Sequence, residues 1–204
     1  RILEINNKRS QSYLSTYFDT ESFKFYLDHH NGRVNRHKVR LRKYVESNLH
    51  FLEVKRKNNK NKTRKRRIEI ISDDFNRSFL SDESLKFIND KMKQNPGKLY
   101  SQFTGGYTRI TLIGNDLTER VTIDLGLFYK NENINKQFDN LVIAEVKQDR
   151  VSQNSEMIRL LRELRIFDVR FSKYCFGINL LYPYVKYNRF KTRILTINKI
   201  AHAA

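Results

Sequence analysis

The sequence predicts an α+β protein: a closed antiparallel β-barrel of about eight strands with peripheral helices. Three observations carry that expectation. Between Asn35 and Arg67, three short segments alternate charged with apolar residues. Further alternating segments follow in hairpin order, separated by Gly, Asn and Asp. Residues at helical spacing appear only as inserts, mostly late in the chain. Side chains two apart on a strand share a face, so strict alternation reads as half-buried strand.

In chain order, Ile2–Ile5 reads as a short strand and Tyr13–Phe18 as another, ending at the turn signal Asp19-Thr20. Phe23, Phe25 and Tyr26 lead into His29-His30-Asn31-Gly32, a loop punctuated by glycine. Lys38, Arg40 and Arg42 then alternate with Val39 and Leu41, and Glu53, Lys55 and Lys57 with Leu52 and Val54. A polar turn over Asn58–Lys62 joins these to Thr63, Lys65 and Arg67. Ser81 or Asp82 caps a helix bearing Leu85, Ile88 and Met92, which Pro96-Gly97 ends. Tyr107–Leu112 and Arg120–Leu125 form another pair, joined by Gly114-Asn115-Asp116, and Leu141–Lys147 is a further strand. Ser152 or Ser155 caps a helix with Ile158, Leu161 and Leu164 on one face, and a shorter helix covers Phe171–Leu181 before Pro183.

Composition narrows the partners. The 204 residues suit one domain spanning 1–204, and 39% hydrophobic content is enough for a real core. With 40 Lys plus Arg against 22 Asp plus Glu, the formal net charge is +18. A surplus that large calls for phosphate-rich partners. Cys175, the single cysteine, excludes a disulfide framework and a thiolate zinc cluster. No apolar run approaches the length of a membrane span.

If the alternating segments are strands, one sheet face carries ranks of cations with few carboxylates. Closing that sheet turns the ranks into the lining of a tunnel, tolerable only if water or a ligand fills it. Arg grips phosphate oxygens with a planar fork and Lys supplies a point charge. The parity selects Lys38, Arg40, Arg42, Lys55, Lys65, Arg67, Arg109, Arg120 and Lys147. Glu145, Glu53 and Asp124 are few enough to serve as hard oxygen ligands for Mg²⁺ or Mn²⁺ on a bound triphosphate. Phosphoryl transfer needs mainly positioning and charge neutralisation, so the lack of a visible Ser, Cys or His nucleophile does not count against it. There is no P-loop.

Each choice competes with a plainer one. Lys43, Lys57, Lys60, Lys62 and Arg64 read as solvated hairpin charge, and Glu53 could simply orient a neighbouring lysine. Tyr17, Phe18, Tyr44 and Phe51 read as core. The histidines lack zinc spacing, and Arg159, Arg162 and Arg165 read as a solvated helix face.

The runs Tyr17-Phe18-Asp19-Thr20, Asn35 through Tyr44, Phe51-Leu52-Glu53-Val54-Lys55 and Thr63 through Arg67 resemble the VTC domain. That is the polyphosphate polymerase domain of the triphosphate tunnel metalloenzymes. Ile143-Ala144-Glu145-Val146-Lys147 and Phe171 through Gly177 continue the likeness in order, over nearly the whole chain. The resemblance implies an eight-stranded tunnel of the stand-alone bacterial type that binds ATP and a divalent metal, usually Mn²⁺. The γ-phosphate would pass to a growing polyphosphate chain. Arg40, Arg42, Lys55, Arg109 and Lys147 would do the catalytic work. Lys38, Lys65, Arg67, Arg120 and Lys173 would bind substrate, Lys173 being implied by the resemblance alone. Glu145 would hold the metal, with Glu53 and Asp124 in support. Relatives also carry a first strand ahead of the segment matching Ile2–Ile5, so an N-terminal strand is expected to be missing here.

The expected partners are ATP and inorganic polyphosphate rather than nucleic acid, in the cytoplasm or at the inner face of a membrane. A membrane-protein partner is an expectation with no residue behind it. The alternatives are a tripolyphosphatase or nucleoside triphosphatase of the same fold, an adenylate cyclase, and a non-enzymatic basic module that binds polyanions or nucleic acid.

Overall fold

Strand β1 (Ser10–Asp19) lies in the middle of the sheet, between β2 (Arg36–Tyr44) and β5 (Tyr100–Ile113). The computed structural model describes residues 1–60, 62–71, 80–115, 117–148 and 155–202. Two candidate turn and cap residues, Asp116 and Ser152, lie outside them, as does Asn61 of the expected turn.

Helix α1 (Lys24–His30) follows β1, and β3 (Leu49–Lys57) and β4 (Thr63–Glu69) follow β2. Helix α2 (Asp82–Met92) precedes β5; then come β6 (Glu119–Lys130), β7 (Asn135–Phe138) and β8 (Ile143–Gln148). The chain ends in α3 (Glu156–Glu163), α4 (Lys173–Leu181), a 3₁₀ turn (Asn188–Phe190) and α5 (Lys191–His202). The eight strands pair antiparallel in the order β4-β3-β2-β1-β5-β6-β7, with β8 also on β6. β8 pairs with the first half of β6 and β7 with the second, so both lie along one edge. Among the described residues no ladder joins β4 to β8, and the strand path is open. Lys55 on β3 nonetheless lies within electrostatic reach of Glu145 and Lys147 on β8.

Register puts the cations together. Directly opposed residues share a face. Lys38 stands opposite Lys55, and Lys55 opposite Lys65; Arg40 stands opposite Glu53, and Glu53 opposite Arg67. Across the sheet Arg109 faces Asp124, Thr122 faces Glu145 and Arg120 faces Lys147. The other face carries Phe18, Val39, Leu41, Leu52 and Val54, all buried in one core with Phe25 of α1 and Ile88 and Met92 of α2. Each such side chain stabilises the fold by roughly 1.5–3 kcal/mol.

Two segments differ from expectation, and β7 and α5 had no expected counterpart. Ile2–Ile5 is not a regular strand: Ile2 makes an isolated bridge to Leu112, and Ile5 bridges Lys8 across a turn in which Asn6 and Asn7 have φ of 50 and 59. His29 and His30, expected to begin a loop, instead close α1, a helix not expected here. Its preceding residue Phe23 is left-handed and provides no side-chain cap. The cap comes instead from the end of β1, where the Asp19 carboxylate accepts the N–H groups of Phe25 (2.8 Å) and Tyr26 (3.0 Å). Tyr174 on α4 also donates its hydroxyl to Asp19, so one buried carboxylate ties β1, α1 and α4 together.

A bulge sets the far wall. Tyr107 is left between pairs on β5, while β6 spends Gly126 and Leu127 on the same gap, with Gly126 at φ 58. That extra residue brings Asp124 and Tyr129 onto the same face despite their odd spacing.

Candidate active site: a cationic concave face

The centre of the face is built on tyrosines. Arg42 is buried; its Nη2 donates to the Tyr107 hydroxyl at 3.0 Å and its Nε to Ser15 Oγ at 3.3 Å. Its guanidinium carbon lies 5.3 Å from the Tyr13 ring centre and 6.0 Å from that of Tyr107. Arg109 rests on the same two rings, at 5.5 and 5.1 Å. Arg40 donates to the Tyr17 hydroxyl at 3.2 Å and lies 5.9 Å from that ring. Rings under guanidinium groups hold the planar forks in fixed orientations. Tyr17 is indeed buried, as expected of a core residue, but it also supports a cation; the roles of Tyr13 and Tyr107 had no signal beyond their strand parity.

Two buried carboxylates are each shared by two cations. Glu53 accepts from Arg40 Nε at 2.7 Å and Nη2 at 2.6 Å, and pairs with Lys65 Nζ at 2.5 Å. Burial opposes its ionisation, but the charges of Arg40 and Arg42 and the bond from Lys65 prevail and hold it down to about 2. Asp124 is gripped by Arg109 and meets Lys173 Nζ at 2.5 Å. Burial opposes its ionisation too, yet Arg109 and Lys173 keep its carboxyl below the usual range. Lys173, on the first turn of α4, thus reaches the same centre. Desolvation, with Arg40 and other cations, lowers the ammonium pKa of both Lys38 and Lys55.

The expected metal ligands do not converge. Among the described residues no group of three His, Cys, Asp or Glu side chains could hold an ion. Glu53 and Asp124, expected to support the metal, are instead the internal counter-ions of Arg40–Lys65 and Arg109–Lys173, because register places them directly opposite arginines. Glu145 is about half exposed, 3.4 Å from Lys147. It is the one expected ligand with room for an ion, and the donor set fits a cation carried mainly by substrate phosphates better than a resident one. Arg120 and Lys147, opposite one another, continue the cations toward solvent at this end. Arg67 lies over Phe51, 4.4 Å from its ring centre, at the β4 edge. Every candidate except Lys173 lies on the single strand face that parity selects.

The fold is that of the triphosphate tunnel proteins. One similar solved structure is a candidate adenylate cyclase from Bacillus halodurans, with TM-score 0.53 and 10% identity over 87% of this chain and 86% of that one. Another is a candidate adenylyl cyclase from Hippeastrum, described as having a dominant triphosphatase activity, with TM-score 0.50 and 13% identity over 83% of this chain and 82% of that one. No curated protein matches the sequence. Residues 1–182 match the VTC domain, and the chain belongs to that family. Among the described residues no helix is long and apolar enough to cross a membrane.

Proposed function

We propose that this chain is an ATP-dependent inorganic polyphosphate polymerase, with the concave face as its active site. The observation that carries the reading is charge left over after internal pairing. Glu53 and Asp124 each share one negative charge between two cations, which leaves each trio net positive, while Lys38, Arg42 and Lys55 have no carboxylate ion-pair partner among the described residues. A polymer that must stay bound between additions is best held by such a surplus. Membership of the VTC family supports the same reading.

In this scheme Arg40, Arg42, Lys55, Arg109 and Lys147 orient and neutralise the transferring phosphoryl group. Lys38, Lys65, Arg67, Arg120 and Lys173 hold the neighbouring phosphates. A terminal oxygen of the polyphosphate chain forms a bond to the γ-phosphorus, the bond from that phosphorus to the β–γ bridging oxygen breaks, and ADP leaves with the electron pair. Bound Mn²⁺ or Mg²⁺ would neutralise charge on the nucleotide phosphates, with Glu145 as its protein ligand. The substrate partners are ATP and polyphosphate, in a cytoplasmic setting.

A triphosphatase is the second reading, favoured by the activity described for the Hippeastrum structure of the same fold. Incubation with ATP and Mn²⁺ separates the two. The polymerase reading expects ADP together with nuclease-resistant polyphosphate. Orthophosphate as the sole phosphate product would overturn it in favour of hydrolysis.

A further inference from the structure

The segment after residue 182 lies beyond the matched domain, yet it helps to build one mouth of the concave face. A cavity of about 700 Å³ opens there, between the α1–β2 loop, the hairpin end of β3 and β4, the N-terminus of α4 and the 3₁₀ turn. Seven of its lining residues are Lys or Arg, and none is Asp, Glu, Asn or Gln. Lys38 and Lys55 belong to the central site as well, so the cavity is continuous with it. Lys57, whose plainer reading is hairpin charge, also lines it, and Arg189 and Arg193 come from the segment outside the family match.

This mouth is a built surface. The backbone N–H of Arg189 donates to His30 Nε2 at 3.3 Å, and its guanidinium lies against Gly32, where a Cβ would come within 3.3 Å. Phe190 packs edge-on to the rings of Tyr26 and His30. The Tyr26 hydroxyl donates to the Lys186 carbonyl at 2.7 Å. On the opposite side Lys38 Nζ donates to Ser172 Oγ at 2.8 Å, the oxygen that caps α4, so the positive end of that helix dipole points the same way. His29 adds no charge: burial, then Lys38 and Arg36, hold it down to about 3. Among the described residues, none of the cations lining the cavity forms an ion pair with a carboxylate.

We propose that this mouth is a second anion subsite that holds the outer part of an inorganic polyphosphate chain whose inner end occupies the central site. The inference rests on the polyphosphate reading above and deepens it. The lining favours phosphate over a nucleoside: a base edge would meet no carboxylate or amide, whereas a chain of phosphates would meet cations along its length.

The test is direct binding of inorganic tripolyphosphate and of long-chain polyphosphate to the full chain and to an Arg189→Gln/Arg193→Gln variant. Long-chain affinity is expected to fall about tenfold while tripolyphosphate affinity is unchanged, and the salt dependence should become shallower for the long ligand only. An Arg189→Lys/Arg193→Lys variant should keep most of the long-chain affinity. Arg189 is exposed, so Arg189→Glu alone provides a second variant, which also removes two units of positive charge and should weaken long-chain binding by a similar factor while leaving tripolyphosphate affinity unchanged. Equal loss for both ligands, or loss for neither, overturns the subsite while leaving the central reading intact. A wild type that binds neither ligand overturns both.

Discussion

Arg109 donates two parallel hydrogen bonds to Asp124, Nε to Oδ1 at 2.6 Å and Nη2 to Oδ2 at 2.8 Å, across a ladder that sets the two residues directly opposite. Lys173 completes the arrangement from a separate helix. A carboxylate committed in this way is a counter-ion that fixes an arginine fork, and it has little left to offer a metal. Asp124→Asn is therefore expected to lower stability by about 3 kcal/mol, since two partly buried cations lose their partner. The Mn²⁺ concentration for half-maximal ATP turnover should stay where it is. A tenfold rise in that concentration would restore Asp124 to the metal site.

Glu145 should behave in the opposite way. Its carboxylate is half exposed and, among the described residues, its one ion-pair partner is Lys147, at 3.4 Å, so Glu145→Gln should leave the melting temperature unchanged. If Glu145 holds the metal, turnover with Mn²⁺ should fall by about a hundredfold or more, the scale on which one charge-stabilising contact to a transition state acts. Full activity in this variant would remove Glu145 as the ligand.

Much of this site was legible in the sequence because the physics is local. A period of two assigns Lys38, Arg40 and Arg42 to one face with no knowledge of the fold, and ladder pairing then aligns them with Glu53 and Lys55. The pairing itself was not legible. Whether Glu53 is a ligand or a counter-ion depends on which residue stands across the ladder, and a one-residue shift of register would change the answer. Helix α1 escaped for a similar reason: its cap is the Asp19 carboxylate at the end of β1, not a residue at its own N-terminus. The bulge at Gly126 likewise breaks the parity count between Asp124 and Tyr129.

Arg42 tests whether the tyrosine platform matters. Its guanidinium is held between Tyr13 and Tyr107 and donates to Ser15 and Tyr107. Arg42→Lys keeps the charge but loses the planar fork and its stacking. Tripolyphosphate affinity is expected to fall about tenfold, the worth of one charge-assisted bond. An unchanged affinity in a calorimetric titration would show that charge alone suffices at this position.

Lys173 depends on how α4 seats. Gly177 faces the floor so closely that an added Cβ would come within 2.4 Å of the Phe103 ring and 3.0 Å of Tyr129. Gly177→Ala should push the helix away, costing about 1–3 kcal/mol as other overpacked sites do. It should also weaken triphosphate binding through the displaced Lys173. A variant that melts and binds as the wild type would mean that the helix accommodates the methyl group and that its seating does not position the lysine.

Glu53 gives the sharpest pH dependence. Its carboxyl titrates at about 2 in the folded chain against an ordinary value of 4.5. A depressed pKa means that the unfolded state binds the proton first, so the stabilisation is complete above about 4.5 and drains away as pH falls toward 2. Glu53→Gln removes the charge at every pH and leaves Arg40 and Lys65 facing each other uncompensated. The variant is therefore expected to be less stable than the wild type by about 3 kcal/mol at neutral pH. The gap should narrow through the acid window and close near pH 2, where the wild-type carboxyl is itself half protonated. Urea unfolding of both proteins at a series of pH values measures this directly. A gap that stays constant from neutral to acid would mean that Glu53 contributes through shape and hydrogen bonding rather than through its charge.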